Sequence, residues 1–221
     1  MTIGWLNGKV GLCNSVHDCS NTITLAPVDR ICPLGHFFIM IKSIKFKTDW
    51  RCFKEGDFFE FEPGVNLLVG DQGTGKSSIL TLFRKGINQK TELKNIADLK
   101  CEGTVELRIF DFERDNPRTK AHIEFAADVY MRFQSHGNCV LALFDVLGEQ
   151  SDTKKCFVLD EPDMALSIRS IHKIIAKLRA TNHQIIAAVH NPTLIGAFSK
   201  VLSVEHKRWM SSEEFIATHT Q

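Results

Sequence analysis

The reading of this chain turns on one stretch. Val65-Asn66-Leu67-Leu68-Val69 runs into Gly70-Asp71-Gln72-Gly73-Thr74-Gly75-Lys76-Ser77, and that into Ser78-Ile79-Leu80-Thr81-Leu82-Phe83. An apolar run of strand length leads into a glycine-rich loop, and the loop leads into residues whose apolar positions Ile79, Leu80, Leu82 and Phe83 suit a helix lying on a sheet. The loop is an intact G-x-x-x-x-G-K-[ST], placed between strand and helix as a phosphate-binding loop requires. Its glycines let backbone N–H groups and the helix N-terminus face an anion. Lys76 then reaches the β- and γ-phosphates, and the Ser77 hydroxyl joins a Mg²⁺ shell. A chance glycine-rich turn would not carry the correct element on both sides.

A second signal lies downstream. Cys156-Phe157-Val158-Leu159-Asp160-Glu161 reads as a buried strand ending in two acids, which places both carboxylates at the edge where open α/β sheets bind ligands. Asp160 suits Mg²⁺, and Glu161 suits preparation of an attacking water. QIIAAVH, residues 184–190, brings His190 to the end of another buried strand, where it can meet the γ-phosphate or the lytic water.

Working outward, IKSIKFKTDWRCFKEGDFFEFE from Ile41 reads as two alternating strands with a turn near Lys54–Asp57. The stretch Asn88 to Lys100 is polar and reads as helix or loop. TVELRIFDFE reads as a strand, NCVLALFDVLGEQ as a buried helix, SIRSIHKIIAKLRA as an amphipathic helix and KVLSVEH as the last strand. Strands alternating with helices predict an α/β fold with a largely parallel sheet, preceded by an antiparallel β-subdomain and carrying a short helical subdomain. The chain has 221 residues, 43% hydrophobic and 24% charged, which excludes a disordered, collagenous or coiled-coil chain. Its net charge of +1 excludes a bulk electrostatic attraction to nucleic acid or membrane. No apolar run approaches the ~18–20 residues that span a bilayer, and seven scattered cysteines fit reduced thiols, so a cytoplasmic protein without membrane insertion is expected.

Gly70–Ser77, LDEP at 159–162, MALS at 164–167 and AVHNPTL at 188–194 resemble the Walker A, Walker B, D-loop and switch-histidine segments of ABC-type ATPases. The match is to the soluble SMC, RecF and OLD-like branch, and closest to small stand-alone bacterial and phage-borne predicted ATPases of the AAA class. IKSIKFKTDWRCFKE resembles the opening of that branch, with Arg51 on its nucleotide-contacting arginine. The resemblance covers residues 41 to about 206 and implies an ATPase, turning ATP into ADP and phosphate with Mg²⁺. The residues it implies are Gly70, Asp71, Gln72, Gly73, Thr74, Gly75, Lys76, Ser77, Ser78 and Arg51 around the nucleotide, with Ser77 and Asp160 on the metal. Glu161, His190 and Lys76 carry catalysis.

The same family takes a signature segment from a second subunit, and Ser135-His136-Gly137-Asn138 is the candidate, with Ser135 and Gly137 meeting the γ-phosphate of a partner chain. An ATP-dependent homodimer follows, with work in DNA repair, recombination or phage–host conflict on a DNA or protein partner. Asn138 stands where relatives carry Glu or Gln, and no glutamine fits the Q-loop, since DFERDNPR at 111–118 occupies its place and Gln134 lies too near the signature. The rival readings are a nucleotide-gated binding module with incidental hydrolysis and a transporter ATPase subunit.

Residues 1–39 read as an N-terminal extension, disordered or from a misassigned start at Met40, with the ATPase domain over 40–221. Cys13, Cys19, Cys32 and His36 could close a zinc site, but their spacing matches no common finger and unrelated thiols are the preferred reading. Arg84, Lys85, Lys90, Lys94 and Lys100, interrupted by Glu92 and Asp98, read as a solvated helix face rather than a nucleic-acid contact.

Overall fold

The computed structural model describes the backbone of residues 2–6, 9–13, 38–88, 90–104, 106–111, 138, 140–141, 144 and 155–219. Side chains are described for 40–85, 92–102, 107–111, 138, 140–141, 144 and 155–219. The elements in order are β1 (Thr2–Leu6), β2 (Lys9–Cys13), β3 (Phe38–Phe46), β4 (Phe58–Glu60), β5 (Val65–Val69), α1 (Lys76–Asn88) and α2 (Lys90–Ile96). There follow β6 (Ala97–Thr104), β7 (Glu106–Asp111), β8 (Lys155–Asp160), α3 (Ile168–Ala180), β9 (Gln184–Ala188), α4 (Pro192–Gly196), β10 (Lys200–Ser203), β11 (Arg208–Ser211) and α5 (Ser212–His219).

Among the described residues the principal sheet has the order β11-β10-β5-β9-β8-β7. It is parallel from β10 to β7, with β11 antiparallel at its end. A second sheet, β4-β3-β6, is antiparallel, and β1 and β2 form an antiparallel pair. The expected α/β fold with a parallel sheet and an antiparallel β-subdomain is therefore the observed one.

The central strands are apolar on both faces because both are covered. On β5, β8 and β9 the residues Leu68, Val158, Ile186 and Ala188 join α1 and the antiparallel sheet in one cluster, which contains Phe46, Phe53, Phe59, Ile79 and Phe83. Their neighbours Leu67, Val69, Phe157, Leu159, Ile185 and Ala187 face the other way. There they pack on Ile171, Ile174 and Leu178 of α3, Leu194 of α4 and Phe215 of α5. Ser167 caps α3, its hydroxyl accepting from the Ser170 N–H at 3.2 Å. Asn191 caps α4 by accepting from the N–H groups of Thr193 and Leu194.

Two buried amides join the sheets. Gln184 Oε1 accepts from the Ile41 N–H at 2.8 Å while its Nε2 donates to the carbonyls of Ile41 at 2.9 Å and Glu62 at 3.1 Å. Ile41 stands at the bulge where the β3–β6 register shifts between Ile41 and Ser43, and Glu62 lies just past β4, so the Gln184 amide ties β9 to β3 and to the segment that follows β4. Asn66 likewise donates to the carbonyls of Glu62, Gly64 and Ile185 and accepts from the Glu62 N–H at 2.7 Å.

Two expectations are corrected, the extent of the polar helix and the place of the last strand. The polar stretch ending at Lys100 is helical only as far as Ile96; Ala97 opens β6, where Lys100 pairs opposite Ser43, so it is not part of a helix face. The chain does not end its regular structure with β10, since β11 turns back on it and α5 follows. Residues 1–39 contain β1 and β2, and β3 starts at Phe38, with Phe38 opposite Thr104 and Ile39 opposite Gly103. Within the expected helix of 139–147, Val140, Leu141 and Phe144 are helical, and Val140 and Phe144 are buried.

Replacing Gln184 with Ala should leave the buried Ile41 amide and carbonyl without partners, at a cost on the order of 2–4 kcal/mol. A circular dichroism melt should show Tm lower by roughly 5–15 °C. An unchanged melt would mean that the sheets do not depend on this amide.

Candidate nucleotide site

The loop after β5 turns tightly because the glycines carry positive φ, Gly70 at 147°, Gly73 at 85° and Gly75 at 107°. Gly75 is constrained twice: an added Cβ would stand 2.4 Å from Cys52 Sγ and 2.6 Å from the Phe53 ring. The loop holds itself through Thr74, whose hydroxyl donates to the Asp71 carbonyl at 2.8 Å, and α1 opens with the Ile79 N–H on the Gly75 carbonyl at 3.0 Å.

Lys76, only 5% exposed, folds over this loop and donates to the carbonyls of Gly70 at 2.7 Å and Asp71 at 2.9 Å. Burial pulls its pKa below the usual lysine range, and the acids around it, Glu161, Asp71, Asp160 and Asp163, pull the other way. The Ser77 hydroxyl donates to Asp160 Oδ1 at 3.0 Å, so the two expected Mg²⁺ ligands converge. A hydroxyl and a carboxylate form an all-oxygen donor set, which fits a hard cation that keeps several of its own waters. Asp160 is held above its ordinary pKa by burial and by the charges of Asp111 and Glu161, against the opposing Ser77 hydrogen bond and Arg84.

Glu161 follows with φ of +50°, a strained conformation for a residue with a side chain. Its N–H donates to the Ala188 carbonyl at 3.1 Å, which ties the end of β8 to the end of β9. Its Oε1 lies 3.2 Å from His190 Nε2. Arg51 donates to the Ser78 hydroxyl at 3.0 Å, and its guanidinium stacks 4.6 Å above the Trp50 ring, beside the start of α1. The sequence-derived residues Arg51, Gly70–Ser78, Asp160, Glu161 and His190 thus come together at one sheet edge. Ser135 and Gly137 lie outside the described residues, as do Gln134, Cys19, Cys32, His36 and the side chain of Cys13; Asn138 is exposed and helical.

Sequence reasoning assigned nothing to Asp163. This buried residue accepts from the N–H groups of His190 at 2.7 Å and Asn191 at 2.5 Å through Oδ2, holding the loop that presents His190, while its Oδ1 is buried with no partner among the described residues. Its partners are backbone groups on a distant strand end, so no side-chain spacing could have revealed it.

Taken together, a parallel sheet, a glycine loop with a buried lysine, and a Ser–Asp pair beside a Glu–His pair define a P-loop ATPase domain. The chain belongs to the AAA domain family, whose pattern matches residues 48–184, more than half of the sequence. Among solved structures it is similar to "Structure of a bacterial Atm1-family ABC exporter with ATP bound", at 15% identity and a TM-score of 0.51. That match covers 83% of this chain and 41% of the exporter chain, and so speaks for the fold alone. No curated protein matches. No helix among the described residues is long and apolar enough to cross a membrane.

Because the folded protein holds the Asp160 proton more tightly than the unfolded chain, its contribution favours folding at low pH and is lost as pH rises through the folded-state pKa. Without nucleotide and Mg²⁺, Asp160→Asn should therefore melt higher than wild type near neutral pH. That gain should shrink on acidification toward about pH 4. A lower Tm at neutral pH would mean that the Ser77 and Arg84 contacts outweigh burial.

Proposed function

We propose that this chain is a Mg²⁺-dependent ATP-hydrolysing head that closes as a homodimer on ATP and reopens after hydrolysis. The observation that carries the reading is the Glu161–His190 contact of 3.2 Å beside the Lys76 and Ser77–Asp160 phosphate site. A phosphate loop alone binds nucleotides; a carboxylate and an imidazole facing the same edge add the means to orient and deprotonate a water.

In this mechanism the loop amides and Lys76 hold the phosphates, with the ammonium moving from the Gly70 and Asp71 carbonyls to the β- and γ-oxygens. Ser77 and Asp160 hold Mg²⁺, which when bound offsets charge on those oxygens. Glu161 accepts a hydrogen bond from the attacking water and takes its proton as the oxygen closes on the γ-phosphorus, while the bond from that phosphorus to the β–γ bridging oxygen breaks and ADP leaves with the oxygen. His190 fixes the Glu161 carboxylate and senses the γ-phosphate, and Asp163 holds His190 through its backbone. Arg51, next to Ser78, reaches the nucleotide from the antiparallel side. Ser135 and Gly137 serve the nucleotide of the second copy.

Closure is supported by apolar side chains beside the site. Met164 is 38% exposed and Ile168 71% exposed on the segment that follows Glu161, where a second subunit would cover them. The resemblance to the SMC, RecF and OLD-like branch favours a cytoplasmic protein acting in DNA repair, recombination or phage–host conflict.

Lys76→Ala should lose ATP binding measurable by calorimetry. Glu161→Gln should keep that binding and lose turnover by ~10²-fold or more. In sedimentation the Glu161→Gln protein should be a dimer with ATP and a monomer with ADP. Equal ATP affinity for Lys76→Ala would remove the site assignment, and a monomer in both nucleotides would remove the composite dimer.

A further inference from the structure

Asp71, Glu205 and His219 meet beside the phosphate loop and share no residue with the Ser77–Asp160 pair. One comes from the loop itself, one from the turn between β10 and β11, and one from the last residue of α5. One ligand atom from each lies within 4.8 Å of the others. His219 Nε2 is 3.8 Å from Asp71 Oδ1 and 3.5 Å from Glu205 Oε2. These separations are long for hydrogen bonds. They are close to the ~3.3–3.6 Å edges of a tetrahedron whose corners stand ~2.0–2.2 Å from a central cation.

The histidine is prepared independently of its two acidic neighbours. His219 Nδ1 is 2.9 Å from the carbonyl of Phe215, one helical turn back, and the ring stacks on Phe215 with centroids 4.0 Å apart. Nδ1 also lies 2.9 Å from the Thr218 hydroxyl, which itself donates to the Phe215 carbonyl at 2.8 Å; with that hydroxyl proton on the carbonyl, the tautomer that satisfies all three groups carries its proton on Nδ1 and leaves the Nε2 lone pair facing the two acids. This is the outer-shell arrangement that orients metal-ligating histidines. At 19% exposure the His219 side chain is largely withdrawn from solvent, whereas Asp71 and Glu205 are open to it, which gives an ion a route in and a water a fourth position.

We infer that Asp71, Glu205 and His219 form a divalent transition-metal site of the zinc class that clasps the C-terminal helix to the phosphate loop. One imidazole and two carboxylates suit Zn²⁺ better than Mg²⁺ or Ca²⁺, which prefer oxygen donors throughout. The clasp is separate from the Mg²⁺ position at Ser77 and Asp160. It acts on the loop through Asp71, whose carbonyl also receives Lys76.

The test is a Co²⁺ titration of the full nucleotide-free chain, stripped with EDTA and kept reduced with a phosphine. One equivalent should bind with visible ligand-field bands and without thiolate-to-cobalt charge transfer, and Zn²⁺ should displace it and raise Tm. His219→Ala and Glu205→Gln should each weaken that equivalent by more than ~10-fold, since losing merely a ligand's hydrogen-bond partner costs that much. Glu205 is exposed, so Glu205→Gln should fold as wild type in EDTA. Wild-type affinity in Glu205→Gln, a bound equivalent with thiolate character only, or no bound equivalent would each overturn the site.

Discussion

Parallel pairing in register on both sides of β9 is the constraint from which the site follows. Leu68 of β5 stands opposite Ala188, and Ala188 stands opposite Asp160 of β8, so three strands reach the same edge at the same level. The loop that carries Gly70, the acids that end β8 and the turn that carries His190 leave the sheet from adjacent points. A slip of one residue in β9 would exchange Ile186 and Ala188 for Ile185 and Ala187 between the two cores. It would also carry His190 away from Glu161. The same slip would pull the buried Gln184 amide away from Ile41 and Glu62, so buried hydrogen bonds fix the register that the polar site depends on.

That edge concentrates opposing charge where water is partly excluded. Lys76 neutralises several acids at once, yet burial favours its loss of a proton and favours protonation of Asp160, so the pair costs free energy in the absence of ligand. The Glu161 backbone adds strain of the same kind. In the proposed function, polyphosphate and a divalent cation would supply the charges that Lys76 and Asp160 lack, and the ligand would stabilise a site that is costly without it. Buried support at Asp163 and the Glu161–Ala188 hydrogen bond hold that geometry against its own repulsion.

The fold and the phosphate site were legible because each depends on runs of adjacent residues. Val65–Val69, Gly70–Ser77 and Cys156–Glu161 announce themselves by local pattern, and the matching period of apolar residues shows which face is covered. β6 was obscured although it alternates well, with Ala97, Leu99 and Cys101 turned toward the core cluster and Asp98, Lys100 and Glu102 exposed. The polar turns of α2 run directly into it and blur both periods. Gln184 and Asn66 read as interruptions of apolar strands, since their hydrogen bonds go to backbone groups whose position depends on the finished sheets. β11 and α5 were missed because they are short and bury few residues, Met210 and Phe215 foremost.

The family pattern ends at residue 184, the first residue of β9, yet much of what completes the site lies beyond it. His190, the Asn191 cap, β10 against β5, and α5 beside the phosphate loop all belong to this last segment. β9 cannot be dispensed with as a strand, because it separates β5 from β8 and its removal would leave the phosphate loop and the acids without a common edge. The segment from 184 onward therefore does two jobs of different specificity. Its strands complete the principal sheet of this chain, while its turns and final helix decide what stands next to Asp71 and His190. Variation in those turns would alter what surrounds the phosphate loop without moving Lys76, Ser77 or Asp160.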